Sequence, residues 1–216
     1  YSLADYLANS GFIAVPVEYR LSPEVKYPAA VHDINNAVTW ILKNGFKYQI
    51  DTNKIAILGC SSGAQLAGLV GLTYGKNQTV EETTTNQISA IVNIDGIMDF
   101  ISEEARKYED NPNRKTTSTG KWFGGRYYEK KELWKEASPV YYVNKNSPPI
   151  QFINSSMPRF HIGREEVIHK LNMFSIYSEI HTFEDAPHSF WLFDPWFERT
   201  GRFVIEFLKI TIKQWN

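Results

Sequence analysis

The sequence predicts an α/β fold built on a mostly parallel sheet, and three observations carry that expectation. The short apolar runs "KIAILG", "ISAIVNI" and "PPIQFI" lack the alternation of a half-exposed strand, as parallel strands covered on both faces do. Stretches with apolar residues at helical spacing separate these runs, so strands and helices alternate along the chain. The 216 residues suit one domain or most of one, and no internal repeat or low-complexity linker divides them.

Taken in order, "YSLADYLANSGF" reads as an amphipathic helix ending near Gly11, without the basic start and apolar stretch of a signal peptide. Residues 12–21, "FIAVPVEYRL", are apolar and β-branched and predict a strand. A polar turn leads into "VHDINNAVTWILKN", where Val31, Ile34, Ala37, Val38, Ile41 and Leu42 share one helical face. "DTNKIAILG" is a buried strand, "AQLAGLVGLTYG" a helix rich in small residues, and "ISAIVNIDG" a second buried strand. Residues 101–143 break the alternation: they are polar, aromatic and loop-like, with short helices at most. Such an insertion is expected over the carboxyl ends of the strands, where α/β proteins place their sites. "PPIQFINSS" gives a further strand, residues 165–174 a helix, "SIYSEIHTF" the last strand, and "ERTGRFVIEFLKITIKQ" a closing helix.

Composition excludes several classes of function. A formal net charge of −1 argues against a nucleic-acid surface, which needs a basic excess. No apolar run approaches the roughly 18 residues that span a bilayer. One cysteine allows neither an internal disulfide framework nor a cysteine-based metal site. Asn77 and Asn154 each begin an N-x-S/T glycosylation pattern, a frequent and weak signal.

Chemistry concentrates at Gly59-Cys60-Ser61-Ser62-Gly63, a G-x-S-x-G pattern between a predicted strand and a predicted helix. Glycines suit the tight turn because a Cβ there would meet crowded backbone. The turn lifts the Ser61 hydroxyl above the sheet at the positive end of the next helix. The Ser62 amide then points to where a tetrahedral oxyanion forms. A serine hydroxyl needs a base. His32, His169 and His181 lie within predicted helices or a strand, where structural or solvated roles suit them, and His161 sits on a loop between Arg159 and Arg164. His188, in "EDAPHSFWLF", hangs between the last strand and the final helix, within reach of a serine at mid-sheet, and is the candidate base.

With these residues in place, the chain resembles α/β-hydrolases of the esterase and lipase superfamily, near the feruloyl-esterase-like and acetyl-esterase branch. "VEYRLSPEVKYPAAVHDINNAVTWI", "GCSSGAQLA", "WFGGRYYEKKELWKEASPVYYV" and "DAPHSFWLF" carry the resemblance over nearly the whole chain. "FINSSMPRFHIGR" is further similar to a Bacteroidetes group of esterases acting on pectin. The resemblance implies an α/β-hydrolase fold, an acyl-enzyme mechanism free of metal and cofactor, a carbohydrate ester as partner, and export to the periplasm or beyond.

Two departures from the family stand out. Its HGG(G) loop, which supplies oxyanion amides after the third strand, is absent, and so is that strand, which belongs between residues 12–21 and the strand at residues 55–58. The sequence is therefore expected to be N-terminally incomplete, short by on the order of 50 to 100 residues, and to fold poorly and work little alone. The second departure is the triad acid. The loop "NSSMPRFHIG", where most relatives carry Asp, holds neither Asp nor Glu. Asp95, at the end of "VNIDG", is the first candidate to accept the His188 Nδ1 proton; Glu165, Glu166 and Asp185 remain alternatives, as does a triad without an acid.

For substrate, Arg159, His161 and Arg164 form a cationic cluster suited to an anionic sugar, or else the arginines pair with Glu165, Asp95 or loop carbonyls. Trp191, with Trp122, Trp196, Phe190 and Phe193, offers either sugar-stacking faces or core. Together with the resemblance, these residues favour a serine esterase removing acetyl or methyl groups from pectin-like polysaccharide. A general carboxylesterase for small esters and a non-catalytic sugar-binding module on the same scaffold are the alternatives. Oligomeric state is not legible.

Overall fold

The computed structural model describes residues 2–75 and 87–212, so Asn77 lies outside the described residues. Four parallel strands form one sheet in the order β1 (Ile55–Cys60), β2 (Ile88–Ile94), β3 (Ile150–Asn154) and β4 (Ser178–Thr182). Helices α1 (Ser2–Asn9) and α2 (Ala29–Asn44) precede the sheet, and α3 (Ser62–Thr73) follows β1 directly. The β2–β3 connection carries α4 (Glu103–Glu109), α5 (Ser118–Phe123) and α6 (Lys131–Glu136). The last two strands are joined by α7 (Arg164–Met173), and α8 (Trp196–Ile212) ends the described chain. No helix among the described residues is long and apolar enough to cross a membrane.

Burial explains why these strands read as continuous apolar runs. Ile88, Ile91, Ile150 and Phe152 pack with Val31, Ile34, Val38, Leu66, Leu69, Val167 and Leu171 from α2, α3 and α7. Ala90, Val92, Ile94 and Ile153 pack with Leu7 of α1 and with Val204, Phe207 and Leu208 of α8. Strands β1, β2 and β3 thus contribute to cores on both faces and show no polar side, whereas the edge strand β4 is only partly covered, with Ile180 exposed.

Residues 12–21 depart from the sequence expectation: they join no ladder. Phe12 and Ala14 pack against the α8 side, whereas Ile13, Val15, Val17 and Leu21 are exposed. Apolar, β-branched residues supply strand propensity, but a strand exists only through paired backbone. Among the described residues, no strand is hydrogen-bonded to β1 on the side away from β2. The segment is anchored instead at its end, where the Arg20 amide and guanidinium donate to Asp33 of α2 at 2.8–3.2 Å. Those hydrogen bonds hold the Asp33 carboxyl below the usual carboxylate range.

Residues 101–143 are more ordered than their composition suggests. Their aromatics build a cluster around the fully buried Trp134, whose ring meets Phe123 at 5.0 Å and also Phe100 and Tyr127, while Trp122 and Tyr27 join through Phe123. The segment is fastened to the sheet layer by Val140 N–H donating to Met98 O and by the Gln65 amide donating to Ala137 O. Burial and the hydrogen bond to Glu136 raise the Tyr27 hydroxyl well above its ordinary range.

Candidate active site

Four consecutive strands end on one side of the sheet, and each is followed by a residue of the site. After β1, the chain turns at Ser61 with φ 54° and ψ −121°, a strained conformation for any residue with a Cβ. The Ser61 amide donates to Ile94 O at 2.8 Å, tying the turn to the end of β2. Backbone crowding is severe here: a Cβ on Gly59 would lie 2.0 Å from Gly63 O, and one on Gly96 would lie 2.4 Å from Ala64 Cβ. The glycine at 63, by contrast, has room for a methyl, with Tyr19 Oη 3.5 Å away. It is the Gly63 carbonyl that leaves no space for a Cβ on Gly59.

The turn brings Ser61 Oγ 2.9 Å from His188 Nε2, and His188 Nδ1 lies 2.9 Å from Asp95 Oδ2. Asp95 follows β2 with φ 55° and is fully buried. Its second oxygen accepts from the Ser155 amide at 2.8 Å and from Asn154 Nδ2 at 3.4 Å, both residues standing at the end of β3. His188 follows β4, and its ring is fixed from two sides. Phe160 stacks on it at 3.7 Å with an 11° interplanar angle, and Trp191 meets it edge-on at 5.1 Å. The arrangement can move the Ser61 proton to Nε2 while a buried carboxylate holds Nδ1–H. Ser62 opens α3, so its amide is among those a helix leaves without an internal partner. Burial, with Asp95 second, pushes the neighbouring Cys60 thiol up to about 12, so the turn carries no thiolate at neutral pH.

The remaining acids and histidines lie elsewhere. Glu165 pairs with Arg164, Glu166 with Lys170, and Asp185 accepts from Trp196 Nε1 at 3.1 Å. His32 and His169 are exposed, and His181 stacks on Phe203 beside Glu179. The cationic loop residues turn toward the scaffold. Arg159 forms two hydrogen bonds to the buried Glu109, His161 Nε2 lies 2.9 Å from Ser155 O, and Arg164 bonds both Asn154 Oδ1 and Glu165. Trp191 and Phe190 are buried, whereas Leu192 and Phe193 are exposed. Asn154 is 1% exposed and offers no room for a glycan. Among the described residues, no group of three or more His, Cys, Asp or Glu stands ready for a metal ion.

Sequence reasoning did not single out Phe160, Ser155 or Gly96. The glycine after Asp95 was a readable sign of a tight turn, but no local pattern reveals that Phe160 will lie on His188.

Comparison with known proteins agrees with the geometry. The profile of the BD-FAE family matches residues 1–157. Esterase LipC of Mycobacterium tuberculosis is 29% identical over 163 residues, covering 72% of this chain and 39% of that protein. The chain therefore spans well under half the length of this relative. Among solved structures, a truncated carbohydrate esterase from gut microbiota superposes with a TM-score of 0.73 at 21% identity, covering 91% of this chain and 73% of that one. An acetyl ester-xyloside bifunctional hydrolase from Caldicellulosiruptor lactoaceticus gives 0.76 at 20% identity, covering 97% and 75%. At these identities the structural likeness establishes the α/β-hydrolase fold.

Proposed function

The chain belongs to the BD-FAE family, and from that premise we propose that it is the catalytic part of a serine carbohydrate esterase. It removes acetyl or methyl groups from pectin-like polysaccharide through an acyl-enzyme. The observation that carries the reading is the hydrogen-bonded series Ser61–His188–Asp95 at the carboxyl ends of the strands, with Ser61 on a left-handed turn.

In this mechanism His188 Nε2 takes the Ser61 proton as Oγ attacks the ester carbonyl. The Ser62 amide binds the developing oxyanion, and Asp95 stabilises the imidazolium. The alcohol leaves with the proton from His188, and water then releases the acid by the same route in reverse. The carbohydrate class is supported by the structural likeness to a carbohydrate esterase and to an acetyl ester-xyloside hydrolase, and the pectin assignment by the "FINSSMPRFHIGR" resemblance. An anionic grip by Arg159 or Arg164 would have to draw on guanidinium groups that already bond Glu109 and Glu165. A polymer of this kind is met outside the cell, which is why export is part of the proposal.

The test is fluorophosphonate labelling with mass-spectrometric mapping, followed by acetate and methanol release from acetylated and methylated pectin, with p-nitrophenyl acetate as a simple ester. Label on Ser61, lost in Ser61→Ala and His188→Ala, is expected, together with release from pectin. Turnover of the aryl ester alone would instead identify a general carboxylesterase. A folded protein that takes no label would leave a sugar-binding module.

A further inference from the structure

The loop after β3 carries no acid, yet it is bound to the acid at the end of β2, and the direction of its hydrogen bonds can be read without ambiguity. Arg164 Nη1 lies 2.8 Å from Asn154 Oδ1. A guanidinium has donors only, so the amide oxygen must face it, and the amide NH2 must face the other way. That other way leads to Asp95 Oδ1 at 3.4 Å. The Ser155 amide donates to the same oxygen at 2.8 Å. Asp95 Oδ1 is thereby occupied by two donors, and Oδ2 is left for His188. Asn154 is 1% exposed and the Arg164 side chain 14%, so water does not substitute for these contacts.

We propose that Arg164 and Asn154 are positioning residues for Asp95: Arg164 fixes the polarity of the Asn154 amide, and the amide holds the carboxylate turned toward His188. This inference rests on the triad reading above. It gives Arg164 a task different from gripping an acidic sugar, since the guanidinium is spent on Asn154 and on Glu165, the latter through two bonds at 2.6 and 2.9 Å. Losing the guanidinium frees the amide to rotate and bring its oxygen against the carboxylate.

The experiment uses the protein as its gene encodes it and a neutral ester, p-nitrophenyl acetate, which has no charge for an arginine to bind. The variants are Arg164→Met, Arg164→Lys, Asn154→Asp and Asp95→Asn. Arg164→Met and Asn154→Asp are expected to lower kcat about tenfold with KM unchanged, the effect of one charge-assisted hydrogen bond. Arg164→Lys, whose ammonium also donates to Oδ1, is expected to retain kcat within about threefold. Should Arg164→Met fail to fold, the near-isosteric Asn154→Asp and the donor-retaining Arg164→Lys still decide. Unchanged kcat on this neutral ester in Asn154→Asp or in a folded Arg164→Met overturns the positioning role and leaves the triad standing. An inactive parent, or an Asp95→Asn variant as active as the parent, overturns the triad reading and this inference with it.

Discussion

The Asp95→Asn substitution tests the site most sharply, because the surroundings of the new amide dictate its orientation. Two backbone and side-chain donors, Ser155 N–H at 2.8 Å and Asn154 Nδ2 at 3.4 Å, point at the position of Oδ1. An amide placed there satisfies them only by presenting its oxygen, which turns its NH2 toward His188 Nδ1. The opposite orientation sets donor against donor in a fully buried place, at a cost of about 1–3 kcal/mol. At about 1.4 kcal/mol per tenfold, a 2 kcal/mol difference keeps the first orientation preferred roughly 30-fold. An NH2 facing Nδ1 requires Nδ1 to accept, so the ring proton moves to Nε2, where Ser61 needs an acceptor. The base is then in the wrong tautomer, a defect worth on the order of 10⁴ in kcat in serine hydrolases. Volume is conserved, so the fold should survive. The assay is kcat on p-nitrophenyl acetate beside the rate of fluorophosphonate labelling, with thermal denaturation as the folding control. A folded variant within tenfold of the parent in both would refute the reasoning and return the acid to Glu165, Glu166, Asp185 or none.

Two further expectations concern the turn itself. Gly59→Ala drives a methyl to within 2.0 Å of a backbone carbonyl that no rotamer change can move, whereas at Gly63 the nearest atom is 3.5 Å away. Gly59→Ala should therefore cost about 3 kcal/mol or more and Gly63→Ala under about 1, read as shifts in the denaturation midpoint; equal costs would refute the crowding argument. The Cys60 thiol, raised to about 12 by burial and Asp95, should resist iodoacetamide at pH 8 in the native protein and react once the chain is unfolded in denaturant. The sign is fixed because burial disfavours the thiolate, so reactivity appears only well above pH 8 or on unfolding. Prompt alkylation of the native protein would contradict it.

The sequence by itself determined the fold class, the four paired strands and the serine and histidine that meet at the candidate site, because each rests on local information. Apolar runs without alternation report two-sided burial. G-x-S-x-G between strand and helix reports a turn that backbone sterics make nearly unavoidable, and a histidine between the last strand and the last helix has few places to go. Tertiary structure decided the rest. Residues 12–21 have the composition of a strand, but pairing is a property of two segments, and no neighbouring strand among the described residues receives them. Four carboxylates were candidates to meet His188, and none announces itself locally. Asp95 faces the ring because β2 and β3 lie side by side, which sets the Ser155 amide and the Asn154 side chain on its other oxygen. The charges of Arg159 and Arg164 were plain in the sequence, and so was Glu165 as a neighbour for Arg164, while the partners 50 and 10 residues away, the buried Glu109 and Asn154, became visible only when the chain folded.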